Sequence, residues 1–340
     1  MLKTVLCGLS AAEILEFIGP DEYTLNHSLH ITGNVYKKRI DVFSGMTGIP
    51  KKLKEYLELY ADTGIMPPVA SEVSSDGTIK YLFRTETNIE FETVYIPDGK
   101  RNTVCVSTQS GCRMGCPFCV TGRYGFAGNL SAGEIVNQVI GIPDADKVTH
   151  VVFMGMGEPM DNLDNVLKAC EILTSEWGVS ISPRNITVST VGITPEIVRF
   201  LENSSCNLTV SLHSPFCEER KLIIPIERKY PVHEIISILK NFPLRKNRRV
   251  SLAYVMIKDM NDTDLHLRAL KDLLAGSQIR VNLLPYHKVP QDKHISSSAE
   301  RMQYFKHDLV ISGISASVRK SRGEDISAAC GLLATGLKIT

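Results

Sequence analysis

Three closely spaced cysteines are the residues of this sequence whose chemistry is easiest to infer. They form the segment Cys112-Arg-Met-Gly-Cys116-Pro-Phe-Cys119. Three thiolates on one short loop can hold three corners of a cubane iron–sulfur cluster, which leaves the fourth iron open to an exchangeable ligand. Zinc is the alternative, but zinc cysteines typically come as two separated pairs. The spacing therefore favours a [4Fe-4S] cluster bound by Cys112, Cys116 and Cys119.

Polar residues and glycines follow three apolar segments that the sequence predicts as strands. Gly155-Met-Gly157-Glu158 follows the first, Ser189 ends the second, and Ser211-Leu212-His213 ends the third. Ligands of parallel sheets bind at the carboxyl ends of the strands. Glycines let the backbone approach a ligand closely, and Glu158 can accept a hydrogen bond from an ammonium group. For His213, a core histidine with satisfied hydrogen bonds is the alternative.

Four of the six other cysteines fall into two groups, and Cys7 and Cys217 are left unassigned. Cys170 lies on an apolar helical stripe and is predicted to pack in the core, and Cys206 is a second candidate for core packing. Cys105 and Cys330 lie outside such stripes and flank the predicted strand ends. On spacing alone, each of these two is as consistent with a free buried cysteine as with a functional thiol.

The order of the strand and helix patterns that position these residues predicts an α/β fold. The chain has 340 residues, 43% of them hydrophobic, which suffices for one large core and a small appendage. Ser10-Ala-Ala-Glu13 is a capping box that begins a helix. From residue 103 strands and helices alternate, which predicts a partial (β/α)6 barrel. The predicted divisions are a helical accessory module at 1–70, a β-hairpin and strand extension at 75–110, and the barrel with its C-terminal loop at 105–335.

Composition narrows the class of protein. The first twenty residues hold no apolar run long enough for a signal peptide, and no later run approaches the length of a membrane span. The nine cysteines of such a chain favour metal or catalytic use over a disulfide framework. We therefore expect a cytoplasmic protein without a membrane partner. The net charge of +1 means that any nucleic-acid site is a local patch.

The motifs resemble a known family. Cys-x-x-x-Cys-x-aromatic-Cys is the signature of the radical S-adenosylmethionine (SAM) enzymes, with Phe118 in the aromatic position. The sequence is more closely similar to the RlmN and Cfr branch of RNA adenine methyltransferases, over residues 75 to 332. Four further segments carry this similarity: Phe153-Met-Gly-Met-Gly-Glu-Pro-Met160, Thr187-Val-Ser-Thr-Val-Gly192, Ser211-Leu-His-Ser214 and Arg322-Gly-Glu-Asp-Ile-Ser-Ala-Ala-Cys-Gly331.

The resemblance implies the cofactors and their contacts. They are a [4Fe-4S] cluster and SAM, with two SAM molecules used per turnover. Gly157 and Glu158 are implied to bind the amino group of SAM. The other implied SAM contacts are Ser189, Ser211, Leu212, His213 and His287, the last of which stands where the family usually has asparagine.

The resemblance also implies a covalent mechanism. Cys330 matches the methyl-accepting cysteine, Cys105 the resolving cysteine and Glu92 the general base. A ring carbon of adenine is too weak a nucleophile to attack SAM directly, so the family uses a deoxyadenosyl radical to activate the S-methyl group. The alternative for Glu92 is a solvent-facing strand carboxylate beside Glu90. An unperturbed glutamate titrates near ~4.3 and is ionised at neutral pH.

The function implied is methylation of carbon 2 of an adenosine in large-subunit rRNA, with tRNA as a further candidate substrate. A Cfr-type enzyme that modifies carbon 8 is one alternative, and a non-catalytic iron–sulfur protein that binds RNA or acts as a sensor is another. The expected partners are RNA and a small reductant protein such as flavodoxin, and the chain is expected to be a monomer.

Overall fold

The computed structural model describes residues 3–123, 125–245, 247–289 and 292–334 of the chain. Its N-terminal region is mostly helical. Ser10 Oγ accepts a hydrogen bond from the Glu13 amide at 3.2 Å, and the Glu13 carboxylate accepts one from the Ser10 amide at 2.7 Å, which confirms the predicted capping box. The elements are β1 (Thr4–Val5), α1 (Ala11–Ile18), α2 (Leu25–Thr32), a π-helical turn (Gly33–Lys37), a 3-10 turn (Phe43–Gly45), α3 (Lys51–Tyr60) and β2 (Ala61–Asp62).

An antiparallel group of strands follows. It consists of β3 (Ala70–Val73), β4 (Ile79–Arg84) and β5 (Glu90–Ile96), and β5 then pairs antiparallel with β6 (Thr103–Cys105). The predicted hairpin and third strand are thereby confirmed. Val94 of β5 lies opposite both Lys80 of β4 and Cys105 of β6. Because side chains alternate along a strand, Lys80, Glu92 and Cys105 lie on the same face of the sheet.

The antiparallel strands continue directly into a parallel sheet. The further strands are β7 (Gln109–Gly111) and β8 (Phe126–Asn129), which form a hairpin, then β9 (His150–Phe153), β10 (Ile186–Thr190), β11 (Asn207–Ser211), β12 (Val250–Met256), β13 (Arg280–Pro285) and β14 (Ala316–Val318). In the described part of the chain the order of strands in the main sheet is β14-β13-β12-β11-β10-β9-β6-β5-β4-β3, in which β6 and β9 to β14 run parallel to one another. The sheet stays open, which confirms the predicted partial α/β barrel. The short strand β14 was not predicted from the sequence.

Helices between the parallel strands complete the barrel core. On α6 (Leu163–Thr174) the predicted apolar stripe packs in the core, with Leu163, Val166, Cys170 and Leu173 buried and Leu167 half-buried. Cys206 is buried as well, so both core cysteines are confirmed. Across the described ranges no helix is long and apolar enough to cross a membrane. The α-helices that follow β7 along the chain are α4 (Val120–Arg123), α5 (Ala132–Ile140), α6 (Leu163–Thr174), α7 (Thr194–Asn203), α8 (Cys217–Ile223), α9 (Val232–Asn241), α10 (Asp264–Leu274) and α11 (Ala299–Ile311). The exact division into module, extension and barrel stays a prediction.

Candidate active site

Glu158 lies buried where β9 ends. Its carboxylate accepts hydrogen bonds from the Met160 amide at 3.0 Å and from the Val191 amide at 2.9 Å, so it joins the loops that follow β9 and β10. Burial raises the pKa of Glu158 to about 7, against the opposing effect of these hydrogen bonds. A carboxylate can accept about four hydrogen bonds. Glu158 is therefore suited to receive a cationic group, which would stabilise its ionised form.

Two glycines shape the loop that holds Glu158. A Cβ atom on Gly155 would lie 2.7 Å from Ser107 Oγ, and one on Gly157 would lie 2.5 Å from Gln109 Cβ. Gly157 also has a φ of +95°, which L-residues rarely adopt. The Gly-x-Gly-Glu segment is thus packed directly on the residues that lead into the cysteine loop.

The cysteine loop connects β7 to β8, the two strands of a short antiparallel hairpin that follows β6. Cys116 is buried, while Cys112 and Cys119 are half-buried. Desolvation raises the pKa of Cys112 to about 12 and that of Cys116 well above its ordinary value, and the charge of Cys119 raises both further. Three thiols that repel one another as thiolates in this way form a site that a positively charged metal centre would stabilise.

The donor set fits a cubane cluster better than a single ion. Within the residues described, no three His, Cys, Asp or Glu side chains converge closely enough to hold one metal ion. A cubane cluster does not require such convergence, because each thiolate binds a different iron. The residues present therefore fit the [4Fe-4S] cluster that the spacing favours, and binding of the cluster by these three cysteines stays a prediction.

The ring of His213 packs against the ring of Phe118, which belongs to the cysteine loop. Their ring centroids lie 5.0 Å apart with an interplanar angle of 84°. The backbone amide of Val255 donates to His213 Nδ1 at 3.0 Å, so the proton of the neutral ring is on Nε2. Burial and the nearby charge of Arg220 lower the pKa of His213 to about 3. His213 is thus a neutral, buried ring that supports the loop, and its contact with SAM stays a prediction.

Arg220 is a central residue of the site that was not predicted from the sequence. Its fully buried guanidinium donates to the carbonyls of Leu212 at 3.1 Å, Ser211 at 2.8 Å and Val191 at 2.6 Å. It also forms an ion pair with buried Glu227. Arg220 therefore fixes the ends of β10 and β11 relative to each other. Its surroundings, Glu218, Glu219 and Lys221, resemble an ordinary solvated helix face, and this concealed it in the sequence.

The predicted SAM contacts Ser189, Ser211 and Leu212 lie at these strand ends. Ser189 and Ser211 are half-buried on neighbouring strands, and Leu212 is fully buried. His287 follows β13 and reaches a different region, since its Nε2 lies 3.2 Å from Ser321 Oγ and its Nδ1 lies 3.5 Å from Glu324 Oε1. The structure thus places His287 against the segment that leads to Cys330, and the contacts of all four residues with SAM stay predictions.

The C-terminal segment carries Cys330 across the mouth of the barrel. The Val120 amide donates to the Gly331 carbonyl at 2.7 Å, and Thr121 Oγ1 donates to the Leu333 carbonyl at 2.6 Å. Both donors directly follow Cys119, so these bonds hold the Cys330 segment beside the cysteine loop. Cys330 exposes part of its surface, yet desolvation and the nearby charge of Cys119 raise its pKa.

Glu92 and Cys105 lie under the same segment. Glu92 is fully buried, and its Oε2 accepts a hydrogen bond from the Ala334 amide at 3.0 Å. The alternative of a solvent-facing strand carboxylate is therefore wrong. Cys105 is buried too, and desolvation together with the charge of Cys330 raises its pKa. The structure thus brings Glu92, Cys105 and Cys330 together, and the thiol of Cys330 is close enough to that of Cys105 to raise its pKa. The catalytic roles of the three residues stay predictions.

Comparisons with known proteins extend these observations. A sequence model described as the radical SAM superfamily matches residues 106–269. The chain is 44% identical over 333 residues to a probable dual-specificity RNA methyltransferase RlmN of Phocaeicola vulgatus, covering 98% of this chain and 95% of that one. It is 40% identical over 307 residues to the dual-specificity RNA methyltransferase RlmN of Syntrophotalea carbinolica, covering 90% and 83% of the two chains.

A solved structure is similar across nearly the whole chain. It is the crystal structure of a radical SAM methyltransferase from Sphaerobacter thermophilus, with a TM-score of 0.90 and 38% sequence identity. The similarity covers 97% of this chain and 98% of that one. It therefore includes most of the helical N-terminal region as well as the barrel.

Proposed function

The chain belongs to the RlmN family of radical SAM RNA methyltransferases, and from this premise we propose that it methylates carbon 2 of an adenosine in large-subunit rRNA and in tRNA. The dual-specificity names of its relatives support two RNA substrates. The observation that supports the chemistry most directly is the placement of Glu92, Cys105 and the Cys330 segment on one sheet face beside the cysteine loop.

The cofactors have residues suited to hold them. Cys112, Cys116 and Cys119 would bind the [4Fe-4S] cluster, and Glu158 would bind the amino group of SAM. When bound, the cluster and two SAM molecules supply the methyl group, the radical that removes one of its hydrogen atoms, and an acceptor for the electron that the RNA adduct later gives up. The buried pair of Arg220 and Glu227 keeps the loops around this site in place.

The remaining steps belong to residues of this chain. The Cys330 sulfur accepts the methyl group, and after loss of a hydrogen atom its methylene carbon bonds to the adenine ring carbon. Glu92 removes the ring proton, and the electron pair of that C–H bond stays in the ring. The Cys105 thiolate then attacks the Cys330 sulfur, and a disulfide forms as the sulfur–methylene bond breaks. The methylene carbon keeps the electron pair of the broken sulfur–carbon bond and takes the proton back from Glu92, which completes the methyl group.

This series of reaction steps requires a thiol reductant and an electron donor as partners. The two sulfurs are oxidised while the methylene carbon is reduced, so a thiol reductant must return the disulfide to thiols after each turnover. A small electron-transfer protein such as flavodoxin would supply the electron that starts radical formation. We place the reaction in the cytoplasm, where rRNA and tRNA are modified, and assign it to the monomer because all predicted catalytic residues come from one chain.

Nucleoside mass spectrometry of rRNA and tRNA tests the proposed function. Cells that lack the gene should lose 2-methyladenosine from both RNA classes, and a plasmid copy should restore it. A Glu158→Gln copy tests the SAM site in the same assay and should restore little, since it lacks the carboxylate charge. Loss of 8-methyladenosine instead would favour the Cfr-type activity, and unchanged nucleosides would contradict methylation of these RNAs.

Cluster binding is tested by iron content. Anaerobically purified protein should contain four irons per chain, and the triple variant of Cys112, Cys116 and Cys119 to Ala should retain almost none, because it lacks the thiolates that bind three irons. Iron analysis and electron paramagnetic resonance after reduction measure both values. Cys170→Ala is the matched control, since it removes a buried core thiol. Unchanged iron in the triple variant would contradict the assignment.

A further inference from the structure

Lys80 is a buried lysine near the start of β4, and it takes no part in the proposed reaction steps. Its side chain is only 6% exposed. Its Nζ lies 3.9 Å from Glu92 Oε1 and donates a hydrogen bond to the Ile326 carbonyl at 2.6 Å. One ammonium group thus contacts both the predicted base and the segment that carries Cys330.

The register explains how these contacts arise. Lys80 and Cys105 both lie opposite Val94, and Glu92 is two residues from Val94 on the same strand. All three side chains therefore point to one face, which the C-terminal segment covers. Two further hydrogen bonds fix that segment over the extension, from the Gly323 amide to Asp76 Oδ2 at 3.0 Å and from Ser74 Oγ to Asp325 Oδ1 at 2.6 Å.

The charges around Lys80 favour Glu92 as its functional partner. Lys80 has a second carboxylate nearby, Glu72 of β3, at 3.5 Å, but the Glu72 side chain is 45% exposed and well solvated. The Glu92 side chain has no solvent exposure. Burial disfavours an ionised carboxylate, and a positive charge within about 4 to 6 Å favours it. The ammonium of Lys80 therefore matters more to Glu92 than to Glu72.

We propose that Lys80 is a positioning residue for the methyl-transfer reaction, which holds the Glu92 carboxylate in its ionised, proton-accepting form and ties the Cys330 segment over it. This inference rests on the proposed function. The step that it assists is the transfer of the ring proton to a Glu92 carboxylate oxygen, with the C–H electron pair staying in the ring. Lys80 itself neither gains nor loses a proton in that step.

Three substitutions separate the charge of Lys80 from its anchoring contact. Lys80→Gln keeps a donor for the Ile326 carbonyl and removes the charge. Lys80→Arg keeps both, and Lys80→Met removes both. Lys271→Gln is the matched control, because Lys271 is also a partly buried, ion-paired lysine, bonded to Asp308 at 2.6 Å on the helix layer.

The readout is the covalent adduct between Cys330 and RNA that carries deuterium at adenine carbon 2. Lys80→Gln should still methylate Cys330, and its adduct should persist roughly tenfold longer than in the parent enzyme, since a neighbouring charge of this kind shifts a carboxyl equilibrium by at least that factor. The persisting adduct should retain the deuterium, as it should in Glu92→Gln. Lys80→Arg should restore parent behaviour, Lys80→Met should also lose Cys330 methylation, and Lys271→Gln should match the parent.

The outcomes separate failure of this inference from failure of the proposed function. If Glu92→Gln traps a deuterated adduct and folded Lys80→Gln resolves its adduct at the parent rate, the role of Lys80 is wrong while the function stands. If Lys80→Gln does not fold, Lys80→Arg is measured instead. Because Lys80→Arg keeps both the charge and the donor, slow resolution of its adduct would overturn the inference. Absence of methylated Cys330 in the parent enzyme itself would instead overturn the proposed function.

Discussion

Cys105→Ala should convert the protein into one that becomes covalently attached to its RNA substrate and releases almost no methylated product. Without the Cys105 thiolate, nothing attacks the Cys330 sulfur, so the methylene bridge to the base remains. Denaturing electrophoresis of radiolabelled RNA should show most of the active protein migrating with RNA. Cys105 lies in the buried middle of the sheet, and such a substitution typically costs only about 1 kcal/mol, so the variant should stay folded.

Two variants control this experiment. Cys170→Ala removes an equally buried cysteine from the helix layer and should give normal product with no adduct. The double variant Cys105→Ala/Cys330→Ala should give no adduct, because adduct formation requires the methylated thiol. If Cys105→Ala only lowered activity in proportion to folded protein, with no adduct under turnover conditions, Cys105 would be a structural residue.

Cys330→Ala should abolish RNA methylation while SAM is still cleaved reductively. The cysteine loop, Glu158 and the strand ends do not depend on the Cys330 sulfur, so the cofactor site should remain. Tryptic mass spectrometry of the wild-type protein should find a methyl group on Cys330, and chromatography should detect 5′-deoxyadenosine from the variant. Any methylated RNA made by Cys330→Ala would rule out the carrier role.

The fold was largely predictable because its strands are apolar and well separated. The predicted strands ending near Met154 and Leu212 are β9 and β11, with boundaries shifted by one or two residues, and the strand predicted to end at Thr190 is β10 without a shift. The strand β14 was missed because Ala-Ser-Val is too short and too polar to stand out. Its place at the edge of the sheet depends on pairing with β13, which no local pattern reports.

The site was predictable where its residues are close in sequence and less so where they are not. The spacing of Cys112 to Cys119 marks a cluster loop by itself. Glu92 looked equally like a solvated carboxylate, because its burial depends on a segment some 240 residues later. Lys80 was overlooked, although a lysine between apolar neighbours in a predicted strand is itself a signal of a buried ion pair.

The central claim is that Cys330 carries the methyl carbon into the RNA base, and the most direct test is the composition of the species trapped by Cys105→Ala. Digestion of that species with trypsin and nuclease, followed by tandem mass spectrometry, should give the Cys330 peptide joined through one methylene group to an adenosine nucleotide. SAM labelled with carbon-13 in its methyl group should place the label in that bridge. An unlabelled bridge, or RNA attached to any residue other than Cys330, would contradict the account.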